Sequence, residues 1–434
     1  MTARTTEPLP FRQMAAGILL LALALRLGLV LVLEPSPSFK GGDANWYMIN
    51  GRDLVTTGKT AGPLQPAPLY PVALGMVQVI VPGEPDGDPS YTHTEMQVIR
   101  VLQALLGAAL CLFVYGIARR LFSRRAAELT GVILAISPAL IIEAGNLTTE
   151  SFFMFFVTGG LALYTWAQHN PTPRRLIAVG VMLGLATLTR AVFLLFPLGL
   201  AVHLLLIHRA HGWRLVAALL VTYSVVISSW TIYNWLTWER LVIGGEGILG
   251  FLYQGATGKA SPQDLDAGLD LTPENADGQR EEAMQAGIEE TIREDPIGWA
   301  AHRVRELTDA YLQPHNTNHL KGKSFRAAAS EWLRHDRSLA GLLDLTRIES
   351  FWPKLALYIF HFGGLILGAA GMWISRWRWR DLLPLVGLIA YFTGIHLLLL
   401  ALPRYVFPTY PAFWIFAAVF ILAMWDRRRQ PRPT

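Results

Sequence analysis

The sequence predicts an all-α polytopic membrane protein with about ten transmembrane helices, interfacial helices in its first external loop and a small, mainly helical extracytoplasmic region. Three observations predict it. Of 434 residues, 52% are hydrophobic and only 16% are charged, with a mean hydropathy of +0.35. Apolar runs long enough to cross a hydrocarbon core of about 30 Å, which takes about 20 helical residues, recur along most of the length. Arginine-rich segments fall between alternate runs, which sorts the connections to two sides. A soluble globular class is excluded by the first two observations.

Taken in order, the predicted spans are 13–33, 97–118, 126–143, 149–168, 175–189, 191–207, 214–236, 353–374, 381–401 and 405–424. With the N-terminus inside, "RRLFSRR" (119–125), "TPRR" (172–175), "HRAHGWR" (208–214), "SRWRWR" (375–380) and "DRRRQPR" (426–432) all lie on the cytoplasmic side. Together they carry 15 arginines, the pattern expected of short cytoplasmic connections. Both termini are therefore expected in the cytoplasm. The formal net charge of +5 is then a topological signature and calls for no nucleic-acid partner. The first span has no small-residue cleavage site and reads as a retained anchor. The single cysteine, Cys111, lies inside a span, so no disulfide braces the external loops.

Three parts follow: a membrane domain (1–236) that includes the first external loop (34–95), an extracytoplasmic region (237–352), and C-terminal helices with a basic tail (353–434). In the first loop, "DANWYMINGRDLVTTG" has aromatic and apolar residues between polar ones and ends at Gly58, which suits a helix lying in the interface. "PLYPVALGMVQVIVPG" is too short to span and suits a second such helix. Region 237–352 holds 12 basic and 19 acidic residues. It contains a polar stretch (259–278), a solvated helix (280–294) and another opened by Pro296.

Ionisable groups at membrane depth are costly and mark function. Asp43 begins the first interfacial helix. Glu143 and Glu150 flank the external turn "EAGNLTTES", Arg190 lies between the fifth and sixth spans, and Arg404 between the ninth and tenth. All five are expected at the external face. A carboxylate there can take a proton from an acceptor hydroxyl, and guanidinium groups can hold a phosphate and stabilise charge as it leaves. The competing reading is that Arg404 and Arg190 snorkel and Glu143 caps a helix end; Arg26 and Arg100 are exceptions to the clustering at one face, and both could snorkel.

"GGDANWY", "APLYPVALG", "LTTES", "LTRAVFLLFPL", "GGEGILGFLYQGATG", "EDPIGWAAHRVREL" and "LPRYVFPTYP" occur in that order over nearly the whole chain. They resemble the bacterial membrane glycosyltransferases of the GT-C fold, nearest the branch of protein O-mannosyltransferases and the aminoarabinose transferase acting on lipid A (glycosyltransferase family 39-like). The resemblance implies transfer of a sugar, with inversion, from a polyprenyl-phosphate lipid donor to an extracytoplasmic acceptor: a protein, a lipid A-like lipid or a cell-envelope glycan. It implies that Asp43 is the catalytic base, Glu150 the second acid and Arg404-Tyr405 the contact to the carrier phosphate, with Lys59 and Arg190 further phosphate candidates. Ala44 stands where many relatives have a second acid, and Glu150 where an aspartate is usual. Trp46, Tyr47, Tyr70 and Tyr405 would supply aromatic surface for sugar and isoprenoid.

No cofactor or metal is expected to be required. His315 and His319 in "HNTNH" have helical spacing but no glutamate between them. The sequence contains no Walker motif, nucleotide-binding glycine fingerprint or GxSxG elbow, so no nucleotide sugar is read as direct donor. The alternatives are a flippase or transporter of lipid-linked saccharides, for which charges near the midplane would be usual, and an O-antigen ligase or polymerase. Beyond the lipid donor and membrane lipids, no partner is specified; sugar, acceptor and oligomeric state are open.

Overall fold

The computed structural model describes residues 11–35, 43–60, 66–81, 91–208, 212–258 and 276–429, and among them every regular element is helical. Helix α1 (Phe11–Gly28) runs into a π-turn at Leu29–Leu33. The first external loop folds as α2 (Asp43–Thr57) and α3 (Leu69–Ile80). Then come α4 (His93–Leu121), α5 (Arg124–Ala135), α6 (Pro138–Glu143), α7 (Glu150–Ala167), α8 (Pro173–Thr189), α9 (Phe196–Ile207) and α10 (Gly212–Trp238). The large loop supplies α11 (Ile248–Thr257), α12 (Ala276–Glu294), α13 (Pro296–Leu312), α14 (Phe325–Glu331) and α15 (Leu339–Asp344). The chain closes with α16 (Phe351–Ser375), α17 (Trp379–Leu398), α18 (Pro403–Val406) and α19 (Tyr410–Arg429). Most of the polar stretch 259–278 and the glycines of "GGDANWY" lie outside the described residues, as does Pro82-Gly83 of the second interfacial motif.

Among the described residues, five helical stretches are long and apolar enough to cross a membrane: 12–33, 93–121, 212–238, 351–398 and 403–429. The fourth contains two helices, α16 and α17, joined by a 3-10 turn. The other predicted spans coincide with shorter or less apolar helices. Span 126–143 is a correction, because it breaks between α5 and α6. Pro138 has no N–H to give to the carbonyl of Leu134, so the helix cannot continue through it.

That break explains a second correction. Arg26 does not snorkel: it is fully buried, and its guanidinium donates to the carbonyls of Leu134 (3.3 Å) and Ala135 (3.2 Å) at the end of α5. Backbone acceptors freed in a membrane must find donors inside the protein. Arg100, 1% exposed, likewise turns inward and donates to the carbonyl of Glu34 (2.7 Å), just past the π-turn that ends the first span.

The site is positioned by two close approaches. Helices α2 and α3 cross at Gly51 and Gly75, where an added Cβ would fall 2.1 Å from the carbonyl oxygen of Pro71 and 2.0 Å from that of Gly51. No other residue fits there, so the glycines set how α2 lies. Arg303 on α13, 1% exposed, donates to the carbonyls of His396 (3.2 Å), Leu397 (3.1 Å) and Gly255 (2.6 Å). Its partner Glu306 accepts from the N–H of Ala401 at 2.7 Å. The large loop thereby clamps the end of α17 and the chain that leads to Arg404.

Candidate active site

A cavity of about 690 Å³ opens where α2, the start of α7, the α8–α9 break, the start of α11 and the α17–α18 connection meet. Asp43, the first residue of α2, stands at its edge with its side chain half exposed. Pro403 starts α18, where its fixed φ suits the first helical turn, and the next residue, Arg404, enters the cavity. Glu150 is the first residue of α7 and is 2% exposed. Arg190 has extended backbone (φ −148°, ψ 112°) at the break after α8, which carries its side chain across to Glu150.

The charges pair across elements distant in sequence. Arg404 Nη1 lies 2.6 Å from Asp43 Oδ2, and its Nη2 donates to the Tyr405 hydroxyl at 3.0 Å. Arg404 Nε is buried and has no hydrogen-bond partner among the described residues. Arg190 Nη1 lies 2.8 Å from Glu150 Oε1. Both guanidinium carbons stand 4.9 Å from the centroid of the Tyr405 ring, a cation–π arrangement that brings the two cations to one aromatic plate. Two forked donors thus share one wall, and one donor atom has no partner among the described residues, an arrangement able to hold an anion.

The two pairs differ in strength. Asp43 and Arg404 have side chains 50% and 33% exposed, so their contact is screened and worth ~0–1 kcal/mol. Glu150 and Arg190 are 3% and 14% exposed, and separating a pair that deep leaves an uncompensated charge. Asp43 is the carboxylate free to exchange partners, and Glu150 the one fixed in place.

Trp46 and Tyr47 extend the wall along α2, their rings in edge contact at 5.4 Å. Burial first, then the neighbouring carboxylates of Asp43 and Glu150, pushes the Tyr47 phenol well above its ordinary value. It therefore stays an O–H donor. Of the ten residues singled out in the sequence, Asp43, Trp46, Tyr47, Glu150, Arg190, Arg404 and Tyr405 line the cavity.

Three do not. Tyr70 is fully buried behind Tyr47 and donates to Gln103 Oε1 at 3.0 Å. Lys59 is exposed past the end of α2, with its ammonium 5.8 Å from the ring centroid of Trp238. Glu143 is 2% exposed and accepts from Thr148 Oγ1 (2.7 Å), His315 Nε2 (2.8 Å) and Asn316 Nδ2 (3.0 Å). That network ties the chain after α13 to the turn before α7. Among the described residues no group of three or more His, Cys, Asp or Glu side chains is placed to hold a metal ion.

Two ionisable residues of the cavity wall were not singled out. Glu246, in the glycine turn before α11, pairs with Arg240 at 2.8 Å; the glutamate within "GGEGILG" was the available signal. His396 lies flat against Tyr405, 5.2 Å and 15° between rings. Its Nδ1 faces the carbonyl oxygen of Leu400 at 3.0 Å, and its Nε2 has no partner among the described residues. An ionisable residue within an apolar span was reason enough to note it.

Among solved structures, the oligosaccharyltransferase of Archaeoglobus fulgidus matches 96% of this chain and 51% of its own, with a TM-score of 0.53 and 15% identity. The chain has the GT-C glycosyltransferase fold. Tethered with an acceptor peptide containing the NVT sequon, the same oligosaccharyltransferase matches this GT-C chain with a TM-score of 0.50 and 14% identity, over 96% and 50% of the two chains. ArnT from Cupriavidus metallidurans, bound to undecaprenyl phosphate, gives a TM-score of 0.37 and 16% identity over 95% and 77%. Residues 92–238 match the family model of dolichyl-phosphate-mannose-protein mannosyltransferases, a segment that contains Glu150 and Arg190 but neither Asp43 nor Arg404. No curated protein sequence matches the chain. The GT-C chain spans about half the length of the oligosaccharyltransferase it matches.

Proposed function

We propose that the protein transfers a sugar from a polyprenyl-phosphate carrier to an extracytoplasmic acceptor, with inversion at the anomeric carbon. One observation carries this reading: an exchangeable carboxylate, Asp43, touches Arg404, which shares the Tyr405 ring with Arg190 inside one cavity. The fold shared with an oligosaccharyltransferase and the match to a family model named for a dolichyl-phosphate sugar support the donor class.

The chemistry follows from charge. A sugar phosphodiester carries one negative charge, and its phosphate gains a second when the anomeric C–O bond breaks. Arg404 and Arg190 are placed to stabilise the charge that develops, the most effective place for a preorganised donor to act. The incoming phosphate competes with Asp43 for Arg404, so donor binding releases the carboxylate. Asp43 then takes the proton of the acceptor nucleophile, whose lone pair forms the new bond from the face opposite the leaving phosphate. Glu150 holds Arg190 in place, and the Tyr47 hydroxyl and the Trp46 ring receive the sugar. The arginine distribution supports a cavity outside the cytoplasm and both termini within it.

The test is transfer by purified protein in liposomes, with a panel of polyprenyl-phosphate sugars and a membrane extract as acceptor. Labelled sugar is expected in a new product of inverted anomeric configuration. Label that only crosses between leaflets, with no product, would replace this reading with a flippase.

A further inference from the structure

The charge of the large loop is unevenly placed. Residues 237–320 hold six basic and fifteen acidic side chains, whereas residues 321–347 hold six basic and three acidic. The second stretch contains α14, a π-turn (Trp332–Asp336), α15 and a 3-10 turn (Leu345–Arg347). Helix α15 carries Leu339, Leu342 and Leu343, whose i, i+3, i+4 spacing puts them on one face. Among the described residues that face is largely uncovered, with the three leucines 73%, 41% and 60% exposed.

Both ends of this stretch are fastened to the first turns of α16. The buried ammonium of Lys354 donates to the carbonyls of Lys321 (2.5 Å), Lys323 (2.9 Å) and Glu349 (3.0 Å). The ring of Phe325 packs 5.0 Å from that of Tyr358 on α16. Helix α16 belongs to a membrane-crossing stretch, and Trp352 at its start is 69% exposed, as befits a residue at headgroup level. The segment is therefore held at the height where α16 meets the membrane surface.

We infer that residues 321–352 form an amphipathic strap lying in the headgroup layer of an anionic membrane, with the leucines of α15 immersed and Arg334, Arg337 and Arg347 against lipid phosphates. A short helix with an apolar face and basic flanks binds such a surface through buried area and charge together. An acidic loop would otherwise be repelled by that surface, and the strap is the part that holds it down.

The experiment uses the full chain in nanodiscs. Cys111→Ser removes the native thiol and keeps an acceptor for Arg26, whose Nη2 lies 3.6 Å from the Cys111 Sγ, and spin labels are then attached after Leu339→Cys, Leu343→Cys or, as a control on α12, Glu289→Cys. Labels at 339 and 343 are expected to be accessible to oxygen and shielded from a water-soluble nickel chelate, with the control reversed. In phosphatidylglycerol they should sit deeper than in phosphatidylcholine, and the triple change Arg334→Gln, Arg337→Gln, Arg347→Gln should erase that difference. Chelate accessibility equal to the control would overturn the strap, and so would shielding from both reagents, which means a second copy covers the face. Equal depth in the two lipids would overturn its preference for anionic headgroups.

Discussion

Glu143 and Glu150 stand seven residues apart at one turn, and both are 2% exposed. Their partners separate them. Glu143 is closed off by Thr148, His315 and Asn316, which join the large loop to the membrane helices. Glu150 faces the cavity and holds Arg190 against Tyr405. A buried carboxylate is thus no sign of chemistry by itself; what matters is whether its partner can also reach a ligand. Asp43 extends the comparison, since it is half exposed and bound to a cation with a donor atom that has no partner among the described residues.

The comparison can be broken by substitution. Asp43→Asn carries the largest expected effect: loss of a general base lowers transfer about 10²–10⁴-fold, with donor binding and folding retained. Arg404→Ala should lower turnover by roughly 10²-fold, the scale of a lost donor to a developing anion, and weaken donor binding too; unchanged donor dependence would make Arg404 a surface cation. Glu150→Gln should act more mildly on transfer and also lower thermal stability, because Arg190 loses its anionic partner while staying largely buried. Glu143→Gln is expected to loosen the loop, seen as faster hydrogen exchange around Asn316, while donor affinity stays unchanged. If it weakened donor binding as much as Glu150→Gln, the two glutamates would not differ as described. Lys59→Ala and Tyr70→Phe, away from the cavity, should leave donor KM within experimental error, and a clear rise for either would extend the site beyond the cavity.

Much of the fold was legible because membrane helices are written in long apolar runs and their turns in arginine. The two interfacial helices were also readable, since α2 and α3 follow the patterned stretches and α2 ends by Gly58 as expected. Pro138 was visible too, yet hydropathy averages over a break that one missing N–H creates. Arg26 and Arg100 were misjudged for a related reason: the acceptors they serve arise only once α5 and the first span have ended. Within the site, the charged residues stood out because charge is rare at that depth. Aromatic residues carry no such mark. Tyr47 and Tyr70 look alike in sequence, and only the crossing at Gly51 and Gly75 turns one to the cavity and the other to Gln103. His396 stayed hidden in an apolar span, and its place against Tyr405 depends on the clamp that Arg303 supplies from the large loop.

The most direct test of the central claim measures donor binding and single-turnover transfer in the same preparation of Asp43→Asn. Donor binding at least as tight as wild type, with transfer lowered about 10²–10⁴-fold, is the result predicted for a base that touches the acceptor and yields Arg404 to the phosphate. Transfer at the wild-type rate would contradict that role for Asp43 and leave its contact with Arg404 as a surface ion pair.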